Sequence, residues 1–323
     1  MGEPILEVSE LKKYFRGPVG FLGSRDQWVR AVDGVSFQVM QGETFGLVGE
    51  SGCGKSTLGK TLIGVYRPTE GSVTFKGREI TNLKKKEAKK IKKDIQYVYQ
   101  DPGISLDPYW KTKRILSEPL VIHTSLRRSA IEKRIHEMIA DVGLGKEHLS
   151  LYPHESSGGQ QRRLGLARIL CLNPSLVILD EPTSGLDVSV QATILKLFIE
   201  LKHQFDLTYI FISHNLSVVR MMCQRVGVMY AGKIVEMGAT RGIFNKPIHP
   251  YTKILLAAIP AIGKKQRKDV ALSGEPPDPL NLPPGCRFWP RCSYKMDICE
   301  SVEPLLRAVE QDRLVGCHLL NQG

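Results

Sequence analysis

The sequence feature that most constrains the fold is the glycine-rich segment at residues 49–57, which reads GESGCGKST. The apolar run 43–48 precedes it and the helix-forming stretch 55–65 follows it, so the sequence predicts a strand, a tight turn and a helix. A glycine, four residues and then Gly-Lys-Ser is the pattern of a phosphate-binding loop, or P-loop. We therefore expect an α/β fold with this loop at the edge of a β-sheet.

The residue types of the P-loop suit an anionic ligand. Glycines allow backbone angles that direct several N–H groups into one concavity, and the following helix adds the positive end of its dipole. We expect Lys55 to reach the β- and γ-phosphates of a nucleotide and Ser56 to hold Mg²⁺. The predicted nucleotide contacts in this loop are Gly49, Ser51, Gly52, Cys53, Gly54, Lys55, Ser56 and Thr57.

Two more candidate sites follow predicted strands. The apolar run 175–179 ends at Asp180 and Glu181, and the β-branched and aromatic run 207–213 ends at His214. Ligands of parallel sheets collect where strands end, so Asp180 is expected to bind Mg²⁺ and Glu181 to polarise the water that attacks the γ-phosphate. These signals, in this order along the chain, are typical of a nucleoside triphosphatase.

A serine- and glycine-rich turn, SSGGQ at residues 156–160, precedes a predicted helix at 163–172 and indicates the family. With Gln100 after the predicted strand 95–99, the segment SGLD at 184–187, and His214, the sequence resembles the ATP-binding cassette (ABC) ATPases. Their signature usually begins with Leu where this chain has Ser156, and we expect that difference to alter packing while activity is retained.

The resemblance implies a P-loop, RecA-like ATPase core with an antiparallel β subdomain, over residues 1–240, and a helical signature subdomain inserted at about 101–165. It implies that two such domains sandwich ATP between the P-loop of one and the signature of the other. The signature residues expected to contact ATP are Ser157, Gly158, Gly159 and Gln160. Gln100 is expected to bind Mg²⁺ and, with His214, to sense the γ-phosphate. Phe15, or its neighbour Tyr14, is expected to stack on adenine.

Residues 241–323 differ in character from the ATPase core. They include HPYT at 249–252, a proline-rich run at 276–284 and GCRFWPRC at 285–292. This segment resembles the small C-terminal extension of oligopeptide and dipeptide importer ATPases. Four of the seven cysteines fall here, separated by five, six and seventeen residues: Cys286, Cys292, Cys299 and Cys317.

The four cysteines predict a metal site in the extension. Disulfides are disfavoured because the cytosol keeps thiols reduced. Structural zinc usually takes cysteines two to four residues apart, which this spacing lacks, whereas four thiolates spread over a loop can hold a cubane cluster. We expect a [4Fe–4S] cluster, with zinc as the alternative, and four unligated thiols are also compatible with the pattern.

Charge and hydropathy limit the classes of partner. The net charge is +12, from 45 basic and 33 acidic residues, and seven lysines lie between positions 84 and 93. No basic stretch is interleaved with aromatic residues, so we expect anionic head groups near the chain and no nucleic acid as a partner. The sequence contains no signal peptide pattern and no apolar run long enough to cross a bilayer, which predicts a cytosolic protein. The family resemblance implies that it is peripheral, on the cytoplasmic face of the membrane.

The family resemblance predicts the remaining partners. They are a second, homologous ATPase subunit forming a heterodimer, two membrane permease subunits and, indirectly, an extracytoplasmic solute-binding protein. The expected function is hydrolysis of ATP to energise import of oligopeptides, dipeptides or a related solute. The alternative is a soluble ABC ATPase acting on nucleic acid or ribosomes, although such proteins commonly carry two cassettes or long coiled coils, and this chain has one P-loop.

Overall fold

The computed structural model describes residues 3–17, 27–99, 105–259, 274–310 and 312–322. The strands are β1 Pro4–Arg16, β2 Trp28–Met40, β3 Thr44–Val48, β4 Glu70–Phe75, β5 Arg78–Glu79, β6 Ile95–Val98, β7 Leu176–Asp180, β8 Thr208–Ser213, β9 Arg225–Tyr230, β10 Lys233–Ala239, β11 Arg307–Glu310 and β12 Arg313–Val315. The helices are α1 Lys55–Leu62, α2 Lys85–Asp94, α3 Thr112–His123, α4 Arg128–Asp141, α5 Gly158–Leu170, α6 Val188–Phe205, α7 Leu216–Met222, α8 Thr240–Asn245, α9 Pro250–Ala257 and α10 Ile298–Ser301. Within the described residues, no helix combines the length and the apolar character needed to span a membrane.

The chain forms two compact units. The first consists of Met1–Val39, Thr44–Thr81 and Phe211–Gly323, and the second of Met40–Glu43 and Asn82–Ile210. The boundary between residues 210 and 211 falls within β8, whose six residues are all buried.

The first unit contains an antiparallel sheet in the order β2-β1-β4-β5. Strand β1 pairs with β4 in the register Leu6 to Phe75 and Val8 to Val73. These four side chains are buried, and intervening residues of β1 are more exposed, which is the alternation of a sheet with one face on the core. The predicted antiparallel β structure at the start of the chain is confirmed.

A second set of strands in this unit has the order β11-β12-β10-β9-β3. Strand β3 is buried along its whole length and pairs with β9 in parallel, as a continuous apolar run favours. Strands β9 and β10 form a hairpin whose turn is Ala231 and Gly232, both with positive φ. Positive φ at both turn residues is the geometry that matches the twist of the strands, which explains the tight turn between them.

The second unit combines the parallel pair β6 and β7 with the helices α2 to α6. Helices α3, α4 and α5 pack on one another through apolar side chains at helical spacing, including Ile115, Leu116, Ile135 and Ile139, which are buried. These buried side chains form a helical core, which agrees with the helical character that the family resemblance implies for this region.

Two predicted boundaries were wrong. Helix α1 ends at Leu62 instead of residue 65, because Gly64 adopts positive φ and such a glycine stops a helix. Helix α5 begins at Gly158, where the sequence suggested residue 163. The capping residue Ser157 starts the helix earlier, and the signature glycines therefore lie inside its first turn.

Candidate functional site

The P-loop in the first unit takes a backbone path that only glycine allows at two positions. Gly49 has φ 152° and Gly54 has φ 107°. A Cβ atom at Gly49 would lie 2.1 Å from the carbonyl oxygen of Met229, and one at Gly54 would lie 2.0 Å from that of Ala31. The loop is therefore pressed against the backbone of neighbouring strands, and its glycines are required for that close approach.

The P-loop leads directly into α1. Gly54 is the N-cap of this helix and has no side chain to occupy the N–H groups of the first turn. Such N–H groups, together with the helix dipole, favour an anion at this end. Ser56 and Thr57 lie in that first turn and are half-buried. The arrangement fits the phosphates of a nucleotide.

Lys55 places a buried positive charge inside the P-loop. Its side chain is 5% exposed, and its Nζ donates to the carbonyl oxygens of Gly49 and Glu50, both at 2.8 Å. The Nζ atom also lies 3.6 Å from Cys53 Sγ. Burial raises the pKa of the Cys53 thiol, although the ammonium group of Lys55 lowers it in part. Cys53 is thus a neutral packing residue whose backbone belongs to the loop.

His214 and the aromatic candidates also belong to the first unit. His214 is exposed and follows β8 directly. Its neighbour Asn215 caps α7 by accepting from the N–H of Ser217 at 3.1 Å. Asn215 also donates its N–H to Ser213 Oγ at 3.0 Å. The backbone on both sides of His214 is therefore fixed.

The two aromatic candidates differ in their surroundings. The half-buried ring of Phe15 packs edge to face on Tyr66, with centroids 5.2 Å apart. The Tyr14 hydroxyl instead donates to the buried carboxylate of Asp33. Burial and this hydrogen bond raise the pKa of Tyr14. Tyr14 therefore has a structural bond at its polar end, whereas Phe15 presents an apolar ring.

The acidic pair lies in the second unit, at the end of β7. Asp180 is buried and accepts a hydrogen bond of 2.6 Å from the hydroxyl of Tyr97 on β6. Glu181 is half-buried and has φ 49°, a left-handed conformation that costs a non-glycine residue energy. Strained backbone of this kind is concentrated at functional sites.

Sequence reasoning missed two side chains that support this part of the second unit. Tyr97 orients Asp180, although 83 residues separate them and no local pattern links them. Arg162 donates to the carbonyl oxygens of Pro182 and Ser184, at 2.9 and 2.8 Å. Arg162 therefore ties the signature helix to the segment after Glu181. The position of Arg162, two residues after the signature, could have pointed to this role.

The signature forms the N-terminus of α5. Ser157 Oγ accepts from the Gln160 N–H at 3.3 Å, and Gln160 Oε1 accepts from the Ser157 N–H at 2.8 Å, which is a capping box. The predicted turn is therefore a helix start, and the Gln160 side chain serves the cap. A Cβ atom at Gly158 would meet no described atom within 4 Å, so the backbone here borders open space. Ser156 is buried, which agrees with the expected packing role.

Gln100, expected to bind Mg²⁺ and to sense the γ-phosphate, lies outside the described residues, as do residues 101–104.

Comparison with known proteins decides the family. The ABC transporter family matches residues 32–184, and the C-terminal region of oligopeptide/dipeptide transporters matches residues 235–299. The oligopeptide transport ATP-binding protein AppF of Bacillus subtilis (strain 168) is 46% identical, over 98% of each chain. The dipeptide transport ATP-binding protein DppF of Escherichia coli (strain K12) is 43% identical, over 99% of this chain and 96% of the relative. The chain belongs to the ATP-binding proteins of ABC transporters.

Solved structures agree with this assignment of the ABC ATPase. The cbiO1 protein of Clostridium perfringens, part of the ABC transporter complex cbiONQ, is 28% identical with a TM-score of 0.66, over 76% of this chain and 92% of that one. The ATP-binding cassette MJ0796, solved as a dimer bound to ADP and Pi, is 25% identical with a TM-score of 0.65, over 73% of this chain and 99% of that one. The predicted α/β fold of an ABC ATPase, and the ATPase activity of that family, are confirmed.

The structure does not support the metal site predicted for the C-terminal region of this ABC ATPase. The Cys286 N–H donates to the Cys299 carbonyl oxygen at 2.8 Å. All four cysteines are free thiols. Yet the described residues hold no group of three or more His, Cys, Asp or Glu side chains placed to bind a metal ion. A single zinc ion therefore has no site among them.

Burial affects the protonation of three of these thiols in the ABC ATPase. It raises the pKa of the Cys286 thiol to about 11 and raises those of Cys292 and Cys317 above their ordinary value. The shifts favour the neutral thiols in the arrangement that the structure describes.

Proposed function

We propose that this ABC ATPase hydrolyses ATP to power import of oligopeptides or dipeptides through a separate membrane permease. The observation that carries the proposal is similarity along the whole chain, including the C-terminal region, to ATP-binding proteins of oligopeptide and dipeptide transport. Fold alone would not favour peptides, because one fold serves many cargoes. No comparison favours the alternative of a soluble ABC ATPase that acts on nucleic acid or ribosomes.

In the proposed reaction, the P-loop residues hold the phosphates of ATP. Lys55 is already fixed inside the loop by two carbonyl oxygens and would exchange these contacts for phosphate oxygens. Gly49, Ser51, Gly52, Cys53 and Gly54 line the loop, and Thr57 follows on α1. The first-turn N–H groups of α1 add donors that need no reorganisation.

Mg²⁺ would neutralise charge on the phosphates, and we assign its protein contacts to Ser56, Asp180 and Gln100. Hard oxygen ligands suit this cation. The Tyr97 hydrogen bond holds the Asp180 carboxylate in one orientation, as a metal ligand requires. Glu181 would accept a proton from the attacking water, and His214 and Gln100 would contact the γ-phosphate. The strained backbone of Glu181 supports a functional role for that residue.

Two ATPase subunits are needed in this proposal. The signature residues Ser157, Gly158, Gly159 and Gln160 would complete the ATP site of the partner subunit. What supports this is the open space at Gly158, in the first turn of α5, where the positive end of the helix dipole favours a γ-phosphate. The similar cassette MJ0796 is solved as a dimer. We propose a heterodimer with a homologous subunit, in which Phe15 stacks on adenine.

The helical part of the second unit offers a place for the permease. A groove of about 670 Å³ lies between α3 and α4 and is lined by aromatic, basic and apolar side chains, among them Tyr109, Trp110, Arg114 and Ile131. We propose that the permease docks there and also contacts the segment 101–108, of which 101–104 lie outside the described residues. The proposed assembly is peripheral, on the cytoplasmic face of the membrane, with two permease subunits and an extracytoplasmic solute-binding protein.

The domain boundaries follow the same scheme. We propose an ATPase domain at residues 1–240, with a helical insertion at about 101–165, and a C-terminal extension at 241–323. The separate family matches at 32–184 and 235–299 support this division. The [4Fe–4S] cluster stays a prediction from the number and spacing of the four cysteines. Iron and sulfide analysis of anaerobically purified protein tests it, and no step of the proposed function depends on it.

Uptake by the reconstituted transporter tests the proposed cargo. The chain, its partner ATPase and the permease would be placed in liposomes with the solute-binding protein, and uptake of a labelled tetrapeptide would be measured. We expect ATP-dependent uptake that Lys55→Ala abolishes. Uptake of a labelled sugar or of nickel, but not of peptide, would contradict the cargo, and salt-sensitive RNA binding without uptake would favour the alternative.

A further inference from the structure

The C-terminal extension reaches the P-loop at Glu50. Arg291 forms a double salt bridge with this glutamate, with Nη1 to Oε2 at 2.7 Å and Nη2 to Oε1 at 3.0 Å. The arginine side chain is 5% exposed and that of Glu50 is 22% exposed. A two-pronged bond of this kind fixes the orientation of both side chains as well as their distance.

The extension also holds the backbone of Glu50. The N–H of Glu50 donates to the Tyr251 hydroxyl on α9 at 2.9 Å, and Tyr251 is fully buried. The carbonyl oxygen of the same residue accepts from Lys55 Nζ at 2.8 Å. Glu50 therefore bonds the extension through its side chain and its N–H, and bonds the phosphate-binding lysine through its carbonyl group.

Arg291 and Tyr251 are themselves rigidly supported. Arg291 donates to the Tyr230 hydroxyl at 3.3 Å. The Tyr230 ring packs on Tyr251 at 4.6 Å and on Phe288 at 5.2 Å between centroids. A few residues before Arg291, Arg287 forms a buried ion pair with Asp33, so the segment is fastened at a second point. Packed aromatic rings of this kind transmit a displacement instead of absorbing it.

We infer that the C-terminal extension positions the P-loop for nucleotide, with Arg291 and Tyr251 as positioning residues that act through Glu50. Without them, the Glu50 carbonyl would be free to rotate, and Lys55 would lose the geometry in which it meets phosphate. The inference deepens the proposed function and rests on nucleotide binding at this loop. It gives the extension a task in the ATPase cycle that does not require a metal.

A salt bridge that only stabilises the fold would affect the melting temperature and leave the nucleotide affinity unchanged. The chain offers a control salt bridge for this comparison. Arg313, also 5% exposed, joins the extension to Glu236 of β10 at 2.6 Å. This pair is more buried than the first one, because Glu236 is 0% exposed, and it bonds the backbone of Lys246, Ile248 and His249 instead of the P-loop. Arg313→Gln should therefore lower the melting temperature with little change in nucleotide affinity, whereas Arg291→Gln should change the affinity.

The test measures Kd for Mg·ATP and the melting temperature on the purified full-length chain. We expect Arg291→Gln and Glu50→Gln each to raise Kd by about tenfold, as loss of a charge-assisted hydrogen bond predicts. The double variant should bind Mg·ATP no more weakly than the weaker-binding single variant, because the two residues act through one salt bridge. Arg291→Lys should give a Kd between those of the wild type and Arg291→Gln. Tyr251→Phe, which removes only a hydroxyl, should raise Kd about threefold.

The outcomes separate this inference from the proposed function. Unchanged Kd in Arg291→Gln and Glu50→Gln, or a fully additive double variant, would overturn the inference alone. If the wild-type chain binds Mg·ATP no better than the Lys55→Ala variant does, the proposed function is overturned as well. In the assembled transporter, Arg291→Gln should raise KM for ATP and leave kcat unchanged, which a purely structural role would not produce.

Discussion

At the scale of single residues, Lys55 explains how the P-loop keeps a positive charge where phosphate is expected. Its ammonium group is buried, and the carbonyl oxygens of Gly49 and Glu50 provide the hydrogen bonds that a buried charge needs. The loop is therefore shaped before nucleotide arrives.

Ser156 carries a prediction about stability. Its buried Oγ has no hydrogen-bond partner among the residues that the structure describes, and such a hydroxyl costs free energy. We expect Ser156→Ala to raise the free energy of unfolding by about 1 kcal/mol, measured by urea denaturation of the purified chain. A lower stability in this variant would show that the hydroxyl has a stabilising partner.

His249 carries a prediction about pH. Burial, with a smaller contribution from Lys253, lowers its pKa from 6.5 to about 3. The unfolded chain therefore takes up a proton below pH 6.5 while the folded chain does not. The contribution of neutral His249 to the free energy of unfolding is fully present above pH 6.5 and is lost as pH falls toward about 3. At about pH 5.5 the loss amounts to about 1.4 kcal/mol.

The His249 effect is measured against His249→Asn, which keeps an acceptor for the Tyr251 N–H at the start of α9 but does not titrate. Between about pH 7.5 and about pH 5.5, the wild type should lose about 1.4 kcal/mol more than this variant in the free energy of unfolding. His136→Asn, at an exposed position of α4, is the control variant. Parallel pH profiles for wild type and His249→Asn would contradict the assignment.

At the scale of elements, helix α5 combines a cap with the proposed contact to the partner's ATP. Ser157→Ala should lower the free energy of unfolding by about 1 kcal/mol because it removes the N-cap acceptor. Ser157→Asp keeps an acceptor and should retain stability, but its charge would repel a γ-phosphate and abolish ATPase activity of the assembled transporter. Full activity in Ser157→Asp would place the γ-phosphate elsewhere.

The elements that could be predicted from sequence are those with local causes. The buried runs of β3 and β7 and the turn at Ala231 and Gly232 have patterns that depend only on neighbouring residues. The start of α5 could have been found from the capping box formed by Ser157 and Gln160, which is also local.

Contacts between distant segments could not be predicted. Arg291 and Glu50 are 241 residues apart, and Tyr97 and Asp180 are 83 apart. Nothing in a local pattern indicates which buried arginine meets which carboxylate. The cysteine spacing was open to several readings for the same reason, because thiol protonation and side-chain placement depend on burial in the folded extension.

At the scale of the whole molecule, the two compact units divide the proposed chemistry. The P-loop, Phe15, His214 and the extension belong to the first unit, and the acidic pair and the signature belong to the second. The proposed reaction uses all of them together with a partner subunit. If activity belongs to the assembly, as proposed, the purified chain should bind Mg·ATP while hydrolysing it slowly.

The central claim is that this chain supplies ATP hydrolysis to a transporter, and steady-state ATPase activity of the reconstituted assembly tests it most directly. Glu181→Gln should lower kcat by at least about 100-fold, because a glutamine cannot accept the proton of the attacking water, while Kd for Mg·ATP stays unchanged. Glu147→Gln, at an exposed position of the same unit, should retain full turnover. Unchanged turnover in Glu181→Gln would contradict the account.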